Sequence, residues 1–154
     1  MNINILSISN SLSKWEQEGI NYYSKQFPKN INLSFIDIKN KIKPNYSIET
    51  ILKEEANEIS KRIRPTNALI SCDSQGEQYS STDFSKKLQN IYESYSNIDF
   101  VIGGSHGLDS TILESSNEII SFSKFTFPHR LFKLILIEQL YRGFSIINNK
   151  PYHK

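Results

Sequence analysis

Residues 100–108, FVIGGSHGL, place Gly103, Gly104 and Gly107, three of the chain's six glycines, directly after a run of apolar residues. A glycine carries no Cβ, so backbone there approaches other backbone or a ligand closely. The spacing builds neither common phosphate cradle. No Lys-Ser or Lys-Thr pair follows the glycines, and the stretch lacks the GxGxxG spacing of a first strand–helix unit. By itself it is a tight turn at a strand end. Two other stretches give it company. SFSKFTFPH (121–129) sets Phe122, Phe125 and Phe127 among Ser123, Lys124 and Thr126, and PYHK (151–154) brings Tyr152, His153 and Lys154 to the end of the chain, where a frayed tail is the default. EQLYRGF (138–144) adds Arg142 on what reads as an ordinary amphipathic helix. The histidines His106, His129 and His153 show no metal-ligand spacing, and the single cysteine, Cys72, supports neither a disulfide nor a zinc cluster. No metal is expected.

The elements that must hold these groups alternate along the chain. INILSIS (3–9), INLSFIDI (31–38), NALISC (67–72), IDFVIGG (98–104) and EIISFS (118–123) read as strands. Helices are expected over 11–27, near 47–63, over 82–95, in a short piece from about Asp109, and over 128–145, with Pro128 in the first turn; DSQGEQYSS (73–81) reads as a loop. Strand–helix alternation predicts an α/β fold with a mainly parallel sheet flanked by helices. In such sheets ligands bind beyond the carboxyl ends of the strands. Three strand ends stand out: Cys72, Gly103 and Phe122.

Length and composition bound the rest. At 154 residues, 38% hydrophobic and 22% charged, the chain is expected to fold as one soluble domain, 1–154, with no membrane span or targeting segment, and so to be cytoplasmic. Net charge is only +2, yet the last 35 residues carry six basic groups against Glu138 alone, and the first 44 carry six lysines against three acids. Such basic ends suit a polyanionic partner as well as an ordinary solvated surface.

Taken together, FVIGGSHGL, SFSKFTFPH, LILIEQLYRGF and YHK, in this order and spacing, closely resemble the RlmH family of SPOUT-class RNA methyltransferases; INILSIS, CDSQGE and the length agree over the whole chain. The resemblance implies a SPOUT fold with a C-terminal deep trefoil knot, a homodimer, and methyl transfer from S-adenosylmethionine to N3 of a pseudouridine in a stem-loop of 23S ribosomal RNA on the ribosome. It also implies cofactor contacts at Cys72, Gly103, Phe122, Ser123, Lys124, Phe125, Thr126 and Phe127. Cys72 departs from the bulkier aliphatic residue of the family pattern, so altered packing there is expected. The last helix, apolar on more than one face, is expected to be buried between subunits.

The imide N3–H is a poor nucleophile until deprotonated, so a nearby base or cation is needed. The tail offers His153 as candidate base, Arg142 and Lys154 as electrostatic or phosphate contacts, and Tyr152 as a stacking or hydrogen-bonding group. In the family the tail lies near the methyl group bound to the partner subunit. Two alternatives stay open: a non-catalytic ribosome-associated binding module, and a SPOUT enzyme acting on transfer RNA.

Overall fold

The computed structural model describes residues 1–9, 12–39 and 42–153. Lys154 lies outside the described residues. Among the described residues, ten elements alternate strictly: β1 (Asn2–Ile8), α1 (Lys14–Ser24), β2 (Asn32–Ile38), α2 (Ile48–Ser60), β3 (Ala68–Gln78), α3 (Ser81–Ser94), β4 (Asn97–Ile102), α4 (Ser110–Ser115), β5 (Glu118–Ser121) and α5 (His129–Ile147). All strand pairs are parallel, in the order β2-β1-β4-β3-β5. The α/β reading of the sequence therefore holds, because each parallel neighbour requires a crossover and each crossover is a helix.

Alternation along β1 divides the core. Ile3 and Ile5 face Leu88 of α3 and Leu136, Ile137, Leu140 and Phe144 of α5, while Leu6 and Ile8 pack with Ala56 and Ile59 of α2 and Ile112 of α4. Helix starts follow local chemistry. Ser47, Ser80 and Asp109 each accept a hydrogen bond from a backbone amide in the first turn of α2, α3 and α4, satisfying donors that a helix start leaves unpaired.

Two expectations need correction. Residues 73–78 are not simply a loop: β3 runs on to Gln78, with Cys72 and Glu77 both opposite Ile120, so 73–76 bulge outward and the chain then rejoins β5. Gly76 makes the return feasible, since a Cβ there would stand 2.6 Å from the Ile120 backbone. Pro128 precedes α5 as its N-cap and does not sit in its first turn. Leu136, Ile137, Leu140 and Phe144 are buried within the chain, where α5 packs against α1 and α3. Phe132, Leu134, Ile135, Tyr141, Ile146 and Ile147 of α5 are only partly covered by their own protomer, and Leu131 at its start and Trp15 on α1 are exposed.

The first turns of α5 are tethered by ion pairs. Lys133, 2% exposed, donates to Asp37 Oδ1 at 2.6 Å, and Ser7 and Ser9 donate to the same oxygen at 2.9 Å. Burial alone would raise the Asp37 carboxyl, but Lys133 and the two serines outweigh it and hold it below the usual carboxylate range. Arg130 lies 3.5 Å from the buried Glu16 carboxylate, whose Oε2 also accepts the Ser13 amide at the start of α1.

Candidate active site

The carboxyl ends of β3, β4 and β5 open onto a cavity of about 610 Å³, a size suited to a cofactor. Three segments wall it: the bulge from Cys72 to Gln75, the glycine turn from Gly103 to Leu108, and the loop from Phe122 to Phe127, with His129 and Phe132 of α5 closing one side. All eight residues expected at the cofactor line this one cavity.

Their side chains do different things. A Cβ on Gly103 would fall on the Gly107 carbonyl oxygen, so the turn closes only with glycine there. Gly104 and Gly107 form an antiparallel bridge, and the Gly107 amide donates to the Gly104 carbonyl at 3.1 Å. Cys72 is 8% exposed, and burial, helped by the neighbouring Asp73 charge, pushes its thiol up to about 12. It is therefore an inert apolar wall at neutral pH. Phe122 stacks edge-on between Phe84 and Phe132, with ring centroids 5.8 and 5.4 Å away, so its ring serves the wall of the cavity. Phe125 instead is 83% exposed; the loop turns there on a hydrogen bond from its amide to Ser123 Oγ at 2.9 Å. Burial pulls His129 below its usual range, leaving a neutral imidazole at pH 7.

Arg142, Tyr152 and His153 do not line this cavity. Arg142 lies ten residues beyond Phe132 on α5, about 15 Å along the helix. The three form a second cluster, anchored by Glu138, which sequence reasoning passed over. Glu138 Oε1 accepts from Arg142 Nη2 at 2.6 Å, from Arg142 Nε at 3.0 Å and from the Tyr152 hydroxyl at 3.0 Å. The Arg142 guanidinium lies 4.8 Å from the Tyr152 ring centroid, and Tyr141 meets that ring edge-on at 4.6 Å. Arg142 Nη1 is 3.4 Å from His153 Nδ1. Because a guanidinium only donates, Nδ1 is the acceptor in this contact and the ring proton belongs on Nε2. Glu138 raises Arg142 further above its ordinary value, and burial with contacts to Tyr23 and Glu138 raises Tyr152 well above the usual phenol range. Tyr152 is thus a neutral donor. The tail is docked on α5, against the default of a frayed end. The Glu-to-Arg spacing of four residues in EQLYR was the available signal for Glu138.

Comparison with known proteins places the chain that builds this cavity in a family. The family model described as "Predicted SPOUT methyltransferase" matches residues 1–153. The chain belongs to the SPOUT methyltransferase family. Curated relatives carrying the name Ribosomal RNA large subunit methyltransferase H include those of Natranaerobius thermophilus, 36% identical over 158 aligned positions and 99% of each chain, and Finegoldia magna, 40% identical over 159 positions. The relative from Clostridium botulinum is 41% identical, and both chains are covered in full there and in Finegoldia. Among the described residues, no helix of this SPOUT protein is long and apolar enough to cross a membrane, and no group of three His, Cys, Asp or Glu is placed to hold a metal.

Proposed function

We propose that the protein is an S-adenosylmethionine-dependent methyltransferase that modifies N3 of a pseudouridine in a stem-loop of 23S ribosomal RNA, working on the ribosome in the cytoplasm as a homodimer. The observation that carries this reading is the separation just described: a cofactor-sized cavity, and an ordered tail cluster of Arg142, Tyr152 and His153 that does not line it.

The residues present fit the cofactor. The cavity offers aromatic walls at Phe122 and Phe132 for a nucleobase, and glycine at 103 lets the turn close against the Gly107 backbone and line the cavity with main chain. Bound there, S-adenosylmethionine supplies a methyl already activated on a sulfonium. The protein's share is alignment and management of one proton. Cys72, Gly103 and residues 122–127 hold the donor in this reading. Arg142 places fixed positive charge beside N3 and favours its anion; Tyr152 donates a hydrogen bond to a base carbonyl or stacks; His153 takes up or relays the N3 proton, with Arg142 on its other nitrogen. No step is asked of a metal.

These roles meet only if the tail of one protomer reaches the cavity of another. The exposed Trp15, Phe125 and Leu131 are apolar surface for that contact. The trefoil knot formed by the C-terminal segment is part of the same proposal, as is the treatment of residues 1–154 as one domain.

The test is transfer of labelled methyl from S-adenosylmethionine to intact ribosomes, free 23S RNA and transfer RNA, each with and without prior pseudouridylation. Label confined to pseudouridylated ribosomes is expected; label on transfer RNA, or none on any substrate, overturns the reading. Mixing Gly103→Val with a chain lacking residues 152–154 tests the shared site. Each variant alone is expected to be inactive, while mixed dimers hold one intact site and recover activity; inactive heterodimers refute the sharing.

A further inference from the structure

Among the described residues lining the cavity, Asp73 alone carries a negative charge. It heads the bulge that interrupts β3, and its two oxygens are used differently. Oδ1 accepts the Gln75 amide at 2.9 Å, which fixes the turn of the bulge and the orientation of the carboxylate. No described residue bonds Oδ2, which lies 3.5 Å from the point a Cβ on Gly107 would occupy. The free oxygen therefore faces the glycine turn across the gap between two of the three walls. Glycine at 107, with φ of 82°, keeps that gap clear of any side chain from its own position.

The half-buried carboxylate follows the buried Cys72 in a cavity also lined by Ile102, a setting that favours a bound cation. Lys124 lines the cavity but belongs to an exposed loop and forms no ion pair with Asp73 within 4.0 Å among the described residues. We infer that Asp73 binds the α-ammonium of the methionine part of S-adenosylmethionine. This inference rests on the cavity being the cofactor site proposed above.

The cofactor offers two cationic groups, and their fates differ. The sulfonium loses its charge as its methyl leaves, so a carboxylate held against it would favour the ground state over the transition state and slow transfer. The α-ammonium keeps its charge from substrate to product. A carboxylate on that group orients the cofactor without opposing the reaction. Asp73 also shares its bulge with Ser74 and Gln75 and faces the turn that carries Ser105 and His106, whereas the edge-on pair Phe122 and Phe132 supplies aromatic lining suited to adenine.

Calorimetry with three ligands tests this on the wild-type protein and on Asp73→Asn, which keeps an Oδ1 acceptor for the Gln75 amide and removes only the charge. S-adenosylmethionine and S-adenosylhomocysteine both carry the ammonium; 5′-methylthioadenosine has the adenine and ribose without it. Asp73→Asn is expected to weaken the first two alike, by about tenfold, as befits one charge-assisted hydrogen bond, and to leave the third within about twofold. Equal loss on all three ligands overturns the inference in favour of a ribose contact or a damaged loop. Loss on S-adenosylmethionine alone assigns the sulfonium and overturns it too, as does no loss at all. The homocysteine product lacking its amino group supplies a measurement on the wild type that needs no substitution. It should bind about tenfold more weakly than the parent, and Asp73→Asn should not discriminate between the two; equal affinity on the wild type refutes the contact. Wild-type protein that binds neither adenosyl ligand refutes the reading of the cavity, whereas tight wild-type binding with an indifferent Asp73→Asn refutes Asp73 alone.

Discussion

Replacing Glu138 by glutamine keeps its shape and removes the charge that holds the tail to α5. In the native arrangement one oxygen receives the Tyr152 hydroxyl at 3.0 Å and two guanidinium nitrogens of Arg142, with side chains 17% and 26% exposed for Glu138 and Arg142. Exchanging a charged for a neutral acceptor costs about 1 kcal/mol at the Tyr152 bond. Freeing Arg142 weakens its stacking on the Tyr152 ring and its contact to His153, about another 1 kcal/mol. Docking of the tail should therefore weaken by about 2 kcal/mol, roughly thirtyfold in population. Hydrogen exchange of the Tyr152 amide, which donates to the Lys150 carbonyl at 2.8 Å, reads that population directly. Exchange should speed up about thirtyfold, and kcat/KM for methyl transfer should fall between about fivefold and thirtyfold. Affinity for S-adenosylmethionine should stay unchanged, because Glu138 does not line the cavity. Unchanged exchange would show that Glu138 does not hold the tail; faster exchange with kcat/KM within about twofold of wild type would show that the docked tail is no part of the reacting site.

Gly103→Val puts a branched side chain onto the Gly107 carbonyl and must open the turn, so cofactor affinity measured by calorimetry should fall at least about tenfold in a folded protein; unchanged affinity would remove Gly103 from the site. Lys133→Met removes the ion pair from Asp37, which keeps its Ser7 and Ser9 donors and some solvent, so denaturant unfolding at pH 7 should show a loss of about 1–2 kcal/mol. The sign of the pH dependence follows from the lowered Asp37 value in the folded state. Its stabilisation is present above the ordinary carboxylate range and lost as pH falls through the folded value, so the deficit of Lys133→Met should shrink near pH 3. An equal deficit at both pH values would mean that lost packing of the Lys133 stem, and not the ion pair, sets the cost.

The sequence by itself determined the alternation of strands and helices, because apolar periodicity is local: five runs of strand pattern and five of helix pattern became β1 to β5 and α1 to α5 with ends shifted by a few residues. Its apolar runs also marked three strand ends, at Cys72, Gly103 and Phe122, that meet at one cavity, whereas the full set of eight cofactor residues came from the family resemblance. What it left undecided depends on distance through space. That β3 continues past Cys72 is settled by pairing with Ile120, more than forty residues away, so a polar stretch such as DSQGEQ reads as a loop until its partner strand is in place. That the free Asp73 oxygen faces the glycine turn was decided by the packing of the bulge against Gly107. Lys133 looks like a surface lysine on an apolar helix until Asp37, far back in the chain, is brought against it and makes its burial tolerable. The docking of Tyr152 on Glu138 likewise came from the tertiary structure, because the turn after α5 brings the end of the chain back along the helix and the carboxylate then holds a segment that its polar composition alone would leave loose.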